Sequence, residues 1–166
     1  MVVIVFGLPG SGKSFFASRL AERIDAQYVN SDRVRKELFE KREYSQAEKK
    51  AVYDKMLSLM KAALNKYRHV ILDATFHKKE TRDLFADEIG NSLPLQFIEV
   101  KASDEIIKER LKHKRPYSEA DYEVHQIIRR QNEPLTIPHL ILQSTNDNID
   151  DMLEKAITHL NLQHDE

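Results

Sequence analysis

The chain has 166 residues, of which 41% are hydrophobic and 32% charged, the length of one domain with apolar mass for its own core. The 26 Lys and Arg nearly cancel the 27 Asp and Glu, leaving a formal net charge of −1, so a generally basic nucleic-acid binder is disfavoured. Cysteine is absent, which excludes disulfides, thiolate metal sites and a thiol nucleophile, and fits a reducing compartment.

Taken in chain order, Val2–Phe6 reads as a fully buried strand, an unbroken apolar run stopped by Gly7. It is far shorter than the ~20 residues of a membrane helix, and no basic segment precedes it, so a soluble cytoplasmic protein is expected. A turn over 7–14 leads to a helix over 15–24, with Phe16, Leu20 and Ile24 four apart on one face. A short strand at 27–30 precedes a helix at 32–39, for which Ser31 is the expected N-cap. After a loop at 41–45, a long helix over 47–67 turns Val52, Met56, Leu59, Met60, Ala63 and Leu64 inward. The third strand is 69–74, followed by a helix at 78–89 ended by Gly90. A fourth strand at 95–100 follows Pro94, then come helices at 104–113, begun by Ser103, and at 119–131. Pro134 and Pro138 frame a loop, 139–142 is the fifth strand, and a helix over 149–160 closes the chain. Short apolar strands alternating with helices predict an α/β fold whose parallel sheet is covered on both faces. No compositional boundary interrupts it, so residues 1–166 are expected to form a single domain.

Gly7-Leu8-Pro9-Gly10-Ser11-Gly12-Lys13-Ser14 fits the phosphate-loop (Walker A) pattern G-x-x-x-x-G-K-[ST] in full. It lies between a predicted strand and a predicted helix, as the motif requires. Glycines let consecutive N–H groups converge on one anion, and the helix start adds its positive dipole end. Lys13 can reach the β and γ phosphates, and the Ser14 hydroxyl can hold Mg²⁺. With Phe15, which opens the helix, these residues are the expected nucleoside triphosphate site.

In a parallel sheet the residues just past each strand share one edge, where ligands bind. Asp73 follows Val70-Ile71-Leu72, where a carboxylate can hold Mg²⁺ directly or through its waters, or simply end the strand. Asp32 and Arg35 follow the second strand, three apart on one helical face. Two readings of them stand side by side. Asp32 can accept the proton of a bound hydroxyl while Arg35 holds the acceptor or the moving phosphoryl group. Alternatively, Asp32 is a first-turn acid favouring the helix dipole, paired with Arg35 on the surface. Further on, Lys108, Arg110, Lys112, Lys114 and Arg115 crowd around one acid, Glu109. Arg110, Lys114 and Arg115 can close over a triphosphate as a lid spanning about 108–120, or they form a solvated basic helix end. The 7 His residues contain no H-x-x-x-H pair, so histidine ligation of a metal is not expected. Arg82 can touch an acceptor anion or sit on an exposed helix start, and Arg129, Arg130 and Gln131 can face the site.

Residues 7–14, the run S-D-R-V-R-K-E-L at 31–38, V-I-L-D-A-T-F at 70–76 and the stretch from Arg110 onward resemble the small P-loop kinases. That group includes polynucleotide 5′-kinases, zeta toxins and gluconate kinases, and the likeness is greatest to a bacterial set described as predicted kinases. The likeness extends over about residues 2–157, with D-A-T-F, Lys78, Lys79, Arg82 and Gln131 with Glu133-Pro134-Leu135 among its marks. It implies a three-layer fold with strand order 2-3-1-4-5, ATP and Mg²⁺ as cofactors, and Asp32 as general base with Arg35 as phosphate contact. It also implies that Arg110 covers the adenine and that a lid residue, Lys114 or Arg115, contacts the γ phosphate.

The resulting expectation is an ATP-dependent kinase acting on a hydroxyl, most simply that of a small molecule. A polynucleotide 5′-hydroxyl is the alternative acceptor. A nucleotide switch or non-catalytic binding module is a different class of reading. Against it, Thr145-Asn146-Asp147-Asn148 lacks the lysine of a guanine-reading N-K-x-D loop.

Overall fold

Five strands, β1 (Val2–Phe6), β2 (Gln27–Asn30), β3 (Val70–Ala74), β4 (Leu95–Lys101) and β5 (Leu140–Gln143), form a sheet of order β2-β3-β1-β4-β5 in the computed structural model. Every neighbouring pair is parallel. Seven helices complete the described structure: α1 (Lys13–Arg23), α2 (Ser31–Leu38), α3 (Gln46–Leu64), α4 (Lys79–Ile89), α5 (Asp104–Leu111), α6 (Tyr122–Gln131) and α7 (Ile149–His159). The structure describes residues 1–41, 43, 45–67, 69–113 and 121–162. Among these, no helix is long and apolar enough to cross a membrane.

Strand alternation divides the interior into two cores, one on each face of the sheet. Val2, Ile4, Phe6, Val70 and Leu72 pack with Val52, Met56, Met60 and Ala63 of α3 and with Phe85 and Ile89 of α4. Val3, Val5, Ile71, Ile98 and Val100 meet Phe16, Ala17, Leu20 and Ala21 of α1 and Met152, Leu153 and Ala156 of α7. Covering both faces is what makes β1 and β3 continuous apolar runs in the sequence. The edge strand β5 departs from that pattern: Leu142 is buried, but Ile141 is 51% exposed.

The element order matches the expected one, with shifted ends. Helix α1 begins at Lys13 rather than at 15, because Gly12 at φ 93° supplies the cap position with backbone alone. Helix α2 is capped not by Ser31 but by Asn30, whose side chain accepts the Arg33 N–H at 3.0 Å. Helix α3 stops at Leu64 rather than 67, where the N–H groups of Lys66 and Tyr67 both turn back onto the Ala63 carbonyl. Helix α5 ends at Leu111 rather than 113; α6 runs from Tyr122 with Asp121 as its cap, and the expected start at 119 lies outside the described residues. The parallel arrangement brings the C-terminal ends of all five strands to one edge. The chain leaves β1 toward β2 and β3 and then crosses to β4 and β5, so the phosphate loop sits at the switch point, where a crevice opens.

Candidate active site

A cavity of about 710 Å³ occupies that crevice. Its lining includes Gly10, Gly12, Lys13, Ser14, Phe15 and Arg110 from the phosphate loop and α5, and Asp32, Arg35, Lys49, Tyr53, Thr75 and His77 from α2, α3 and the segment after β3. The expected residues Lys13, Ser14, Asp32, Arg35 and Arg110 are therefore brought to one place. Lys114 and Arg115, and most of the expected lid, lie outside the described residues.

The phosphate loop is held by close packing and by side chains from distant helices. A Cβ on Gly7 would lie 2.4 Å from the Val100 carbonyl oxygen, so β4 admits only glycine there. Gly12 adopts φ +93°, and a Cβ on it would meet Ser144 Oγ at 2.7 Å. Within the loop, the Ser11 N–H donates to the Leu8 carbonyl at 3.1 Å. Arg110 of α5 donates to the Gly10 carbonyl at 3.1 Å, Ser144 Oγ at 3.1 Å and the Thr145 carbonyl at 3.0 Å. It thereby ties the loop to the segment after β5. His125 of α6 is 1% exposed and lies 2.8 Å from the Pro9 carbonyl through Nδ1. Because the peptide is planar and trans, that contact turns the Gly10 N–H away from α6.

Helix α1 has neither a side-chain cap nor an acid in its first turn. Each of the other six helices carries an acid there. The positive end of α1 is thus left for an anion other than its own side chains. Ser11 Oγ, deep in the loop, is buried with no hydrogen-bond partner among the described residues. Phe15 is 54% exposed at the cavity mouth, with the Arg19 guanidinium 3.3 Å over its ring.

Below the loop, Asp73 is fully buried in β3. Register places it beside Val5 of β1 and Asn30 of β2. Its Oδ2 accepts from Tyr28 Oη and from Asn30 Nδ2 at 2.8 Å, and Asn30 Nδ2 also lies 3.3 Å from Ser14 Oγ. Its Oδ1 has no partner among the described residues. Burial pushes the Asp73 carboxyl up, opposed by the charge of Lys13 and by bonds from Tyr28, Ser14 and Asn30. Burial and the Asp73 charge together push the Tyr28 hydroxyl up. An orphaned carboxylate oxygen near a serine hydroxyl is a hard oxygen donor set that fits Mg²⁺. No cluster of three His, Cys, Asp or Glu side chains exists among the described residues, so phosphates and water would supply most of that ion's shell.

On α2, Asp32 Oδ1 accepts from Arg35 Nη1 at 3.2 Å. The pair is not the surface pair that spacing alone allows, because Arg35 is only 7% exposed. Its Nε meets Glu48 Oε1 of α3 at 2.9 Å, and the other Glu48 oxygen accepts the Glu43 N–H at 2.8 Å. Arg35 therefore stands between two carboxylates. Thr75 Oγ1 and His77 Nδ1 are 3.1 Å apart on the segment after β3. Burial, with Lys49 and Lys78 nearby, pushes the His77 imidazole down to about 4, so it is neutral at pH 7.

Several sequence candidates take other places. Arg82 contacts no open site: it is 3% exposed and donates to the Phe76 carbonyl at 2.8 Å and the Glu133 carbonyl at 2.7 Å. Lys108 and Lys112 pair with Asp104 and Glu109 on the surface, as a solvated helix end would. Arg129 reaches Asp104 on α5 at 4.0 Å. Tyr28, Asn30, Glu48, Tyr53, His125 and Ser144 were not legible as site residues. For Tyr28 and Asn30 a signal existed, since residues two apart in a strand share a face and Asn30 pairs with Asp73.

A family model described as an AAA domain matches residues 2–135. No curated protein gave a match. Among solved structures, a sugar kinase from Janibacter sp. superposes with a TM-score of 0.74 at 18% identity, over 98% of this chain and 95% of its own. A gluconokinase from Sinorhizobium meliloti gives 0.67 at 16% identity, over 98% and 97%. The APS kinase of Mycobacterium tuberculosis, in complex with AMPPNP and APS, gives 0.72 at 21% identity, over 96% of both chains.

Proposed function

Since the chain belongs to the AAA-domain family matched over residues 2–135, we propose that it is an ATP-dependent kinase that phosphorylates a hydroxyl of a small molecule. The observation that carries this reading is the shared cavity. Lys13, Ser14 and Asp32, the last braced through Arg35 and Glu48, all line it. A switch needs no such braced carboxylate. A phosphotransferase does, since the acceptor hydroxyl must be positioned in line with the γ-phosphorus. The like-folded proteins named as sugar kinase, gluconokinase and APS kinase support a small acceptor. So does a cavity in the size range of small-ligand sites.

In this reading residues 7–15 bind the triphosphate, Arg110 covers the adenine, and Ser14 and Asp73 would hold Mg²⁺. Lys114 and Arg115 belong to a lid over about 108–120 of a single domain working in the cytoplasm. The bound Mg²⁺ supplies charge neutralisation on the phosphates. Lys13 stabilises charge on the phosphoryl group in transfer. Asp32 takes the proton of the acceptor hydroxyl, whose oxygen forms a bond to the γ-phosphorus. The bond from that phosphorus to the β,γ-bridging oxygen breaks, and ADP leaves. Arg35 fixes the Asp32 carboxylate and faces the acceptor.

Asp32→Asn tests the assignment. It keeps size and most hydrogen bonding but cannot take up a proton. ATP affinity should stay within about threefold, while transfer to an acceptor falls by roughly 10²–10⁴, the usual scale of general-base catalysis. Undiminished turnover with only a small loss of stability would remove Asp32 from the catalytic list. The measurements are ATP binding by calorimetry and ADP release across a panel of alcohols.

A further inference from the structure

On the cavity wall that carries Asp32, one ammonium has no anionic partner of its own among the described residues. Arg35 is already shared between Asp32 and Glu48. Lys49, the next residue along α3, lines the cavity and is half-buried. Its backbone N–H donates to the Ser45 carbonyl, but its ammonium makes no ion pair or hydrogen bond among the described residues. Besides burial, the charges acting on it are Arg35 and Lys78, both cations, and together they hold its ammonium below the usual lysine range. Lys78 itself has an acid, Glu133, only at 4.0 Å. His77, near both lysines, is neutral and carries no counter-charge. Thr75 and Tyr53 add hydroxyl groups to the same wall.

A partly desolvated ammonium repelled by two other cations costs stability in the empty protein. Such a group is expected where a ligand supplies the missing anion. The phosphate loop has its own cation in Lys13. We propose that the acceptor is an alcohol that also bears an oxyanion, a carboxylate or a phosphate, and that Lys49 is the cation that holds it. This rests on the kinase reading given above and narrows it. The anion anchors the substrate on α3 while its hydroxyl lies toward Asp32, so Lys49 selects the substrate without touching the transferred group.

The test pairs neutral alcohols with charged counterparts: glycerol with glycerol 3-phosphate, and glucose with gluconate and glucose 6-phosphate. Each is titrated calorimetrically into the protein saturated with Mg²⁺ and AMPPNP, then assayed with ATP for ADP release. At least one charged compound should bind at least tenfold more tightly than its neutral partner, about 1.4 kcal/mol. The carboxylate and phosphate arms tell which oxyanion is taken. Lys49→Met, which keeps the side-chain stem, should remove that preference, Lys49→Arg should restore most of it, and ATP affinity should change less than twofold. Unaltered thermal melting shows that the variants fold. Equal binding of charged and neutral partners, binding of none of them, a preference unaffected by Lys49→Met, or a loss of ATP affinity instead would each overturn the proposal. Lys49-dependent binding with no ADP release would leave this anion site standing and sink the kinase reading instead.

Discussion

Replacing Asp73 with Asn should stabilise the empty protein and weaken it once Mg²⁺ and ATP are present. The carboxylate is fully buried, with one oxygen bonded by Tyr28 and Asn30 and the other bonded by nothing among the described residues. An asparagine can place its carbonyl where Oδ2 stands and keep both bonds, while its amide takes the position of the orphaned oxygen. What is lost is a buried charge. A polar group left without its bond costs about 1–3 kcal/mol, and more when it is charged, so exchanging charge for a neutral amide should gain about 1 kcal/mol or more. For a chain of this size that is roughly 2–4 °C in melting temperature per kcal/mol. The sign of the pH dependence follows from the raised carboxyl. A carboxyl raised in the folded state is penalised fully above its folded-state pKa. The penalty fades as pH falls toward the unfolded value. The advantage of the variant should therefore be greatest at pH 7.5 and shrink toward acid pH. With saturating ligand the order should invert. Wild type gains about 2.7 kcal/mol at a hundredfold excess over Kd, and the variant loses much of that gain. Thermal melting in EDTA at pH 7.5 and pH 5, repeated with Mg²⁺ and ATP, reads all three. A variant less stable than wild type in EDTA at pH 7.5 would mean that Asp73 is a structural tie, not a carboxylate kept poised for a cation.

Two further outcomes follow from the segment after β3. His77 is held neutral, near 4 against an unfolded value of about 6.5, so its contribution is fully present above pH ~6.5 and is lost as pH falls toward 4. His77→Gln should lose less stability than wild type between pH 7 and pH 4.5 in urea titrations, and parallel losses would reject the assignment. Arg82→Met removes the donors to two carbonyls, each worth about 1–3 kcal/mol if left unbonded, and a loss below 0.5 kcal/mol in the same titration would count against its bracing role.

How far the sequence could be read depended on the distance over which each feature is encoded. The phosphate loop is local: strand, glycines, lysine and helix are contiguous, so residues 7–14 were recognisable before any fold was known. Strands β1 and β3 were legible because both faces are covered, and β5, an edge strand with Ile141 facing out, was still read from its apolar run with its bounds one residue early. Asp32 with Arg35 could be read as a helical pair, but not as buried, because Glu48 comes from another helix 13 residues later (48 − 35) and nothing in the spacing couples them. Arg82 misled for the same reason. A charged residue in a helix's first turns suggests solvent, and only the fold brings the Glu133 carbonyl to it. Helix ends were misplaced where two good cap residues adjoin, Asn30 beside Ser31, or where the cap is bare backbone, Gly12.

The two halves of the cavity are therefore built by different physical means, and this bears on what the fold can do. The nucleotide half is backbone geometry, fixed by glycines that β4 and Ser144 would not let be anything else. The other half depends on one strained turn. Phe76 lies at φ 42°, in the left-handed region, which costs a residue with a Cβ about 1–2 kcal/mol. The turn persists because it is over-determined. Arg82 grips the Phe76 carbonyl, the Tyr53 hydroxyl accepts its N–H at 3.3 Å, and its ring packs on Tyr53 and Phe85 at 5.3 and 5.2 Å between centroids. The reversal of backbone direction carries Thr75 and His77 to the cavity wall beside Lys49, while the apolar ring stays in the core below. Strain held in place by packing is a feature of sites that must present side chains in a fixed attitude. Here it presents the wall proposed for the acceptor, at a distance in sequence from the phosphate loop. On the proposed reading, substitutions along that wall should change which acceptor is taken and leave residues 7–14 as they are.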